Sequence, residues 1–378
     1  MATETALVYC ENQFGRADGK TATGLVRHSD IYTIVGVIDS SLAGRDAGEV
    51  LGGKPNRIPI FADLNHALRE LPKTPDCYIY GKAPLEARIS PAERLLILEA
   101  MEAGMGIVNG LHQFFTDDAE FVQAAAKNGV RIKDVRKPPH LRDLHVFSGQ
   151  IAEVNVPVIA MLGTDCACGK MTTAMELNAA LNDAGISCIL VATGQTGMMQ
   201  GAKYGATIDA LPSQFVIGEI ENAVISAFEN EHPDIILIEG QSAVSHPAFM
   251  SSIGILKGSM PAGVILQHPP ARRFRCDFPD LPMPSVESEI ALIEALASTR
   301  VVAITLSHEG MTTAEVLQTI AKYEIDFGVP TTDVLTQGCD KLVRALVQRF
   351  PQIIRRARRE RPTYTFPTVR NLLGKAHV

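Results

Sequence analysis

A run of aliphatic residues from Val158 leads into Gly163, Thr164, Asp165, Cys166, Ala167, Cys168, Gly169, Lys170, Met171, Thr172 and Thr173. These are the residue types a phosphate cradle needs, in the order it needs them. Glycines let the backbone curl so that successive N–H groups face inward, toward phosphate oxygens. A helix expected to begin near Gly169 adds the partial positive charge of its N-terminus, and Lys170 adds a full one. In the standard motif a Ser or Thr directly after the lysine ligates Mg²⁺. Here five residues, not four, separate the glycines, and Met171 fills the hydroxyl position. Thr172 or Thr173 is therefore expected to take the metal or phosphate role. A glycine-rich strand–helix turn with a surface lysine is the plainer reading, and the strand, the helix and the Gly-Lys pair together argue against it.

Three more segments carry reactive side chains. Gly194, Gln195, Thr196 and Gly197 follow a strand-like run and are expected as a loop beside the cradle, at the carboxyl edge of a parallel sheet. Taken alone, they read equally well as a tight strand-exit turn. Glu239 ends a run of four aliphatic residues, a place where a charge is costly without a partner, and where a carboxylate can hold Mg²⁺ through water or act as a base. His246 is open between an acid–base role and a structural hydrogen bond. Gln267, His268, Arg272, Arg273 and Arg275 again follow a strand. Their guanidinium groups, stiffened by Pro269 and Pro270, can bind a carboxylate or phosphate in bidentate fashion or form a solvated cluster. Cys166 and Cys168 read as small loop side chains rather than as an acyl carrier. No metal site is expected, since no second Cys or His pair appears at zinc spacing.

The elements that must position these residues alternate. Strands are expected at 5–10, 32–39, 76–80, 106–109 and 130–135, with helices at 64–71, 91–103 and 117–127. Ser90, Pro91 and Glu93 make a good helix start. After a polar stretch with a break near Gly149, a second series follows. Its strands are expected at 156–162, 187–193, 234–239, 263–267 and 300–306, and its helices at 170–184, 217–230, 286–297, 313–323 and 339–349. Alternation of this kind implies α/β domains with parallel sheets covered by helices on both faces. The expected division is 1–150, 151–350 and a basic C-terminal extension over 351–378.

Composition is consistent with this. The chain of 378 residues is 46% hydrophobic and 20% charged, which suits two ordinary globular domains. A net charge of −7 argues against nucleic acid or anionic membrane as partner. No apolar run reaches bilayer length, and the start lacks the basic and apolar regions of a signal peptide, so a cytoplasmic protein is expected. The seven cysteines are expected as reduced thiols. Gly15, Gly19 and Gly24 do not form the dinucleotide fingerprint, so a nicotinamide cofactor is not expected, although Asp39 stands where a ribose-binding acid would.

The pair of Gly163-Thr164-Asp165 and Gly169-Lys170 is similar to the loop of dethiobiotin synthetase and its relatives, which also place five residues between the glycines. The whole chain resembles a two-domain bacterial and archaeal family long known only as one of unknown function. One branch of that family is the D-glutamate N-acetyltransferase of D-glutamate catabolism. GTDCACGKMTT, GQTGMMQGAKYG (194–205), IEGQSAVSHPAF (238–249) and LQHPPARR (266–273) carry the resemblance over most of the second domain. It implies a Rossmann-like first domain, a P-loop NTPase-like second domain, and acetyl transfer from acetyl-CoA to the amine of D-glutamate or a similar acidic amino acid. Under that reading the loop holds the CoA phosphates without hydrolysis, Glu239 is the base and His246 its reserve. Arg272 or Arg273 takes the substrate carboxylates, with Gln195, Thr196 and His268 completing the substrate site. A homo-oligomer acting on a small molecule is expected. Two alternatives stay open, an ATP- and Mg²⁺-dependent ligase or kinase and a nucleotide-sensing regulatory protein.

Overall fold

The structure, a computed structural model, describes residues 3–84 and 88–354, so most of the expected 351–378 extension lies outside the described residues. The chain falls into two compact units. Of the described residues, those up to Pro139 together with Gly194–Ala202 form the first, and His140–Thr193 with those from Lys203 onward form the second. The change of unit therefore comes at Pro139, ahead of the expected break near Gly149.

The first unit is built on strands β1 (Glu4–Tyr9), β2 (Tyr32–Ile38), β3 (Ile60–Phe61), β4 (Cys77–Tyr80), β5 (Gly106–Asn109) and β6 (Ile132–Asp134). They lie in the order β3-β2-β1-β4-β5-β6, all parallel. Helices α1 (Lys20–Arg27), α2 (Ala47–Gly52), α3 (Leu64–Glu70), α4 (Pro91–Glu102) and α5 (Ala119–Asn128) connect them. This is a doubly wound, Rossmann-like sheet. Helix α4 starts as its sequence requires. Ser90 accepts from the N–H of Glu93, the Glu93 carboxylate returns the bond to the N–H of Ser90, and Pro91 sits at the first turn. Elements β3, α1 and α2 are short and were not expected from periodicity.

The second unit contains β7 (Val158–Gly163), helix α6 (Lys170–Asp183), β8 (Cys188–Ala192), β9 (Tyr204–Gly205) and β10 (Ile235–Glu239). Then come β11 (Gly263–His268), the hairpin β12 (Phe274–Arg275) and β13 (Phe278–Pro282), β14 (Val301–Leu306) and β15 (Thr331–Thr332). The main sheet runs β15-β14-β11-β7-β10-β8-β9 and is parallel throughout. Strand β7 is buried at all six positions because both its faces are covered. Ile159 and Met161 pack with Leu177 of α6, while Val158, Ala160 and Leu162 face a second core with Ile236, Ile238 and Leu266. The period-2 alternation of a strand thus divides one aliphatic run between two cores. No helix among the described residues is long and apolar enough to cross a membrane.

One segment differs from its expected form. Gly194–Ala202 is not an irregular loop. Its residues Gln195–Gln200 form a short helix, α7, that folds with the first unit. Met199 is fully buried there among Val8, Ala22, Leu25 and Val108. The Gln200 amide donates to the carbonyls of Gly24 (2.9 Å) and His28 (3.0 Å). A glycine-rich stretch reads as a loop, yet Met199 gives it an apolar side chain worth burying.

Candidate active site

Strand order explains the convergence of three motifs. Strand β7 lies between β10 and β11, with Glu239 level with Met161 and Gln267 level with Gly163. The phosphate loop, the end of β10 and the end of β11 therefore share one stretch of carboxyl edge, where parallel sheets collect ligands.

The loop curls as its glycines allow. Gly169 adopts φ 102° at the N-cap of α6, a left-handed conformation that favours glycine. Ala167 has φ 45°, which costs a residue with a Cβ roughly 1–2 kcal/mol. The resulting curve leaves backbone donors open. The N–H groups of Cys166, Ala167, Gly169, Lys170, Met171 and Thr172 meet no well-formed protein acceptor among the described residues. An arc of N–H groups at a helix N-terminus suits an anion. Lys170 lies buried beside it, its Nζ donating to the carbonyl of Asp165 (2.6 Å) and lying 3.6 Å from Cys168 Sγ. Thr173, one of the two hydroxyls expected to replace the missing metal ligand, is committed elsewhere. Its Oγ1 donates to Gln267 Oε1 (2.6 Å), which also accepts from Thr305 (2.5 Å).

Arg272 was expected at the substrate carboxylates, and the structure uses it to brace the loop instead. Nη1 donates to Asp165 Oδ2 (2.8 Å) and the carbonyl of Cys166 (2.7 Å), and Nη2 to the carbonyl of Ala167 (3.1 Å). Its remaining edge pairs with Glu309 at 2.7 and 2.9 Å. Burial opposes the charge on Arg272, but Glu309 and Asp165 more than offset it and hold the guanidinium charged. The strained Ala167 is thus tied down by the arginine that caps its carbonyl. Arg275 is buried too, donating to Ser245 Oγ (3.0 Å) and lying 3.6 Å from Asp165 Oδ1. Arg273 is exposed, and its side chain forms no ion pair among the described residues.

Glu239 is buried at the end of β10. Its Oε2 accepts the N–H of Thr193 (2.9 Å), and its carbonyl accepts the Thr193 hydroxyl (3.1 Å). The next residue explains why the chain can turn here. A Cβ on Gly240 would come within 1.9 Å of the Met161 carbonyl, so only glycine lets the β10 exit pass over β7. His246 follows on that exit, buried, stacked on Phe249 at 4.8 Å and 3.8 Å from Asp165 Oδ1. Burial, and then Arg275, push its pKa below the ordinary value. His268 shares Thr164 Oγ1 at 2.8 Å, and burial with help from Arg272 lowers its pKa to about 4. It is a neutral ring at physiological pH. Burial pushes the Cys166 thiol up to about 11, against the pull of Lys170, which leaves little thiolate for an acyl carrier.

The structure therefore brings together the loop, Glu239, His246, His268 and Arg272. Gln195 and Thr196 belong to the first unit, where Gln195 joins Arg136 (2.6 Å) and Thr21 (3.3 Å), and Thr196 joins Thr21 (3.0 Å). Two further residues brace the loop, Gln267 through Thr173 and Glu309 through Arg272. Gln267 was visible as a polar residue ending an apolar strand. Glu309 gave no signal, being 37 residues from Arg272.

Comparison with known proteins agrees with this architecture. Residues 145–343 match the family described as "Domain of unknown function (DUF1611_C) P-loop domain", and residues 40–138 the "Domain of unknown function (DUF1611_N) Rossmann-like domain". A D-glutamate N-acetyltransferase from Pseudoalteromonas sp is 32% identical over 257 residues, covering 66% of this chain and 75% of its own length. Another, from Tritonibacter scottomollicae, is 28% identical over 274 residues, covering 71% and 80%. The crystal structure of a DUF1611 family protein from Anabaena variabilis superposes with a TM-score of 0.84 at 30% identity, covering 92% of this chain and all of that one.

Proposed function

The chain belongs to the DUF1611 family, with both its Rossmann-like and its P-loop domain, and on that premise we propose that it is an N-acetyltransferase moving the acetyl group of acetyl-CoA to the amine of D-glutamate or a similar acidic amino acid. The acyltransferase class follows the names of its relatives. The observation that carries the placement of the cofactor is the arc of open N–H groups in the phosphate loop beside Lys170. These donors fit the diphosphate of CoA. With Met171 in the hydroxyl position and Thr173 bonded to Gln267, the loop is better equipped to hold phosphates than to hydrolyse them.

In the reaction the amine nitrogen attacks the thioester carbonyl, the C–S bond breaks, and CoA leaves as its thiol. The amine must lose a proton on the way, and the developing oxyanion needs donors. Glu239 is our candidate base and His246 its reserve. CoA itself sets a constraint on both, because its thioester lies a whole pantetheine arm away from its diphosphate. A base this close to the loop requires the arm to fold back. If Glu239→Gln keeps full turnover, the base assignment fails. For the substrate carboxylates the free guanidinium of Arg273 replaces the committed one of Arg272. Arg273→Ala is expected to raise KM for D-glutamate roughly 5- to 10-fold with kcat little changed.

A Mg²⁺–ATP ligase or kinase is the second reading, supported by Glu239 at the end of the strand beside β7 and by the hydroxyl of Thr172. One experiment separates the readings. Purified protein is incubated with D-glutamate and either acetyl-CoA or Mg-ATP. Free thiol from the first mixture supports acetyl transfer, ADP or phosphate from the second supports the ligase, and binding without turnover points to a sensor.

A further inference from the structure

Asp165, His246 and Ser242 each bury a polar side-chain atom that has no hydrogen-bond partner, namely Oδ1, Nε2 and Oγ. Asp165 Oδ1 and His246 Nε2 face each other at 3.8 Å, and both side chains are fully buried. That gap is too wide for a hydrogen bond. The other carboxylate oxygen is satisfied by Arg272 and by the N–H of Cys276, both at 2.8 Å, whereas Oδ1 has Arg275 at 3.6 Å and His246 at 3.8 Å, neither within hydrogen-bond reach. Cys166 Sγ completes the group, with the ligand atoms of Asp165, Cys166 and His246 all within 4.8 Å of one another. Leaving a buried carboxylate oxygen and a buried ring nitrogen unmatched is costly, and their mutual approach points to something that binds between them.

We propose that Asp165, Cys166 and His246 form a binding site for a borderline-soft divalent cation of the zinc type. An oxygen, a sulfur and a nitrogen donor suit that class better than Mg²⁺ or Ca²⁺, which prefer oxygen alone. One carboxylate and one thiolate match the two positive charges of the ion, and Arg272, Arg275, Lys170 and Asp277 also face the cluster. The thiol proton of Cys166 leaves to solvent, and uptake of the cation therefore weakens as pH falls. The Nδ1 of His246 accepts from the N–H of Ala248 at 3.3 Å, which places the ring proton on Nε2. The cation takes that position, the ring proton moves to Nδ1, and one long hydrogen bond is exchanged for a coordinate bond. Three protein ligands leave a fourth position for water or a ligand oxygen. The bound ion would pin the phosphate loop to the exit of β10 through residues about 80 apart in sequence, a spacing that no linear zinc pattern contains.

The site stands on its own geometry and does not depend on acetyl transfer. Its test uses the full chain, stripped with chelator, reloaded with Zn²⁺ or Co²⁺, dialysed and assayed by elemental mass spectrometry, with circular dichroism reporting the fold. The wild type is expected to keep one metal per chain and to show a thiolate-to-cobalt charge-transfer band. Cys166→Ser should lose the band, and His246→Gln should weaken metal binding roughly tenfold or more. Cys276→Ser, which alters a nearby thiol outside the cluster, should keep both. Absence of stoichiometric metal in the reloaded wild type overturns the proposal, as does equal metal retention in all three folded variants. Acetyl transfer measured on the same samples shows separately whether the enzymatic reading holds.

Discussion

The two units present the same kind of edge and use it in opposite ways. In the first, Asp39 and Asn109 at the ends of β2 and β5 are engaged by their own chain. Asp39 accepts from the N–H of Phe14 (3.1 Å) and from both the N–H (3.1 Å) and hydroxyl (2.6 Å) of Ser41, so both oxygens of the acid placed for a ribose already hold its own chain. The Asn109 amide joins Asp134 (2.7 Å), the Gln113 carbonyl (2.8 Å) and the N–H of Leu111 (3.0 Å). In the second unit, the loop after β7 keeps a row of N–H groups open. A satisfied edge stabilises a sheet, whereas an edge with open donors, stiffened from behind by Arg272 and Gln267, is ready for a ligand.

The largest expected effect tests the bracing. Arg272→Ala removes the partner of a fully buried carboxylate and should destabilise the chain by roughly 3–5 kcal/mol in urea unfolding. Arg94 of the first unit also pairs with two carboxylates, Asp118 and Glu120, but nearer the surface. Arg94→Ala should cost only about 1 kcal/mol. Equal costs would erase the contrast between the units.

The next effect is a pH dependence. His268 has its folded pKa lowered to about 4 by burial and Arg272. The unfolded chain thus binds more protons than the folded one below the ordinary histidine value. The stability linked to this ring is fully present above pH ~6.5 and is lost as pH falls through 4. The loss by pH 4 is on the order of 3 kcal/mol, read as the difference between wild type and His268→Gln across the range. Identical profiles would mean that the ring is not held neutral by its surroundings.

The smallest effect lies in the first unit. Ser90→Ala deletes a helix cap and should cost about 1 kcal/mol by thermal unfolding, with CoA binding unchanged. A change in CoA affinity would show that the first unit bears on the loop.

Much of this was legible in the sequence because its causes are local. The loop, its lysine and its flanking strand and helix lie within residues 158–183, and Glu239 could be placed from four aliphatic residues before it. Ser90, Pro91 and Glu93 fixed the start of α4 in the same way. What was not legible depends on distant partners. Arg272 reads as a ligand-binding arginine until Asp165 and Glu309 are seen to occupy it. Gln195 and Thr196 read as part of a loop because glycines suggest one, while they form a helix of the first unit that buries Met199. The proximity of His246 to Asp165 follows from β10 lying beside β7, an order no local pattern announces.

The phosphate loop is the proposed seat of CoA, and calorimetric titration of wild type and Lys170→Ala with CoA tests that directly. Loss of the charged donor should weaken CoA binding roughly 10- to 100-fold while the fold is kept. Equal affinity in the two proteins would place the cofactor elsewhere and contradict the account.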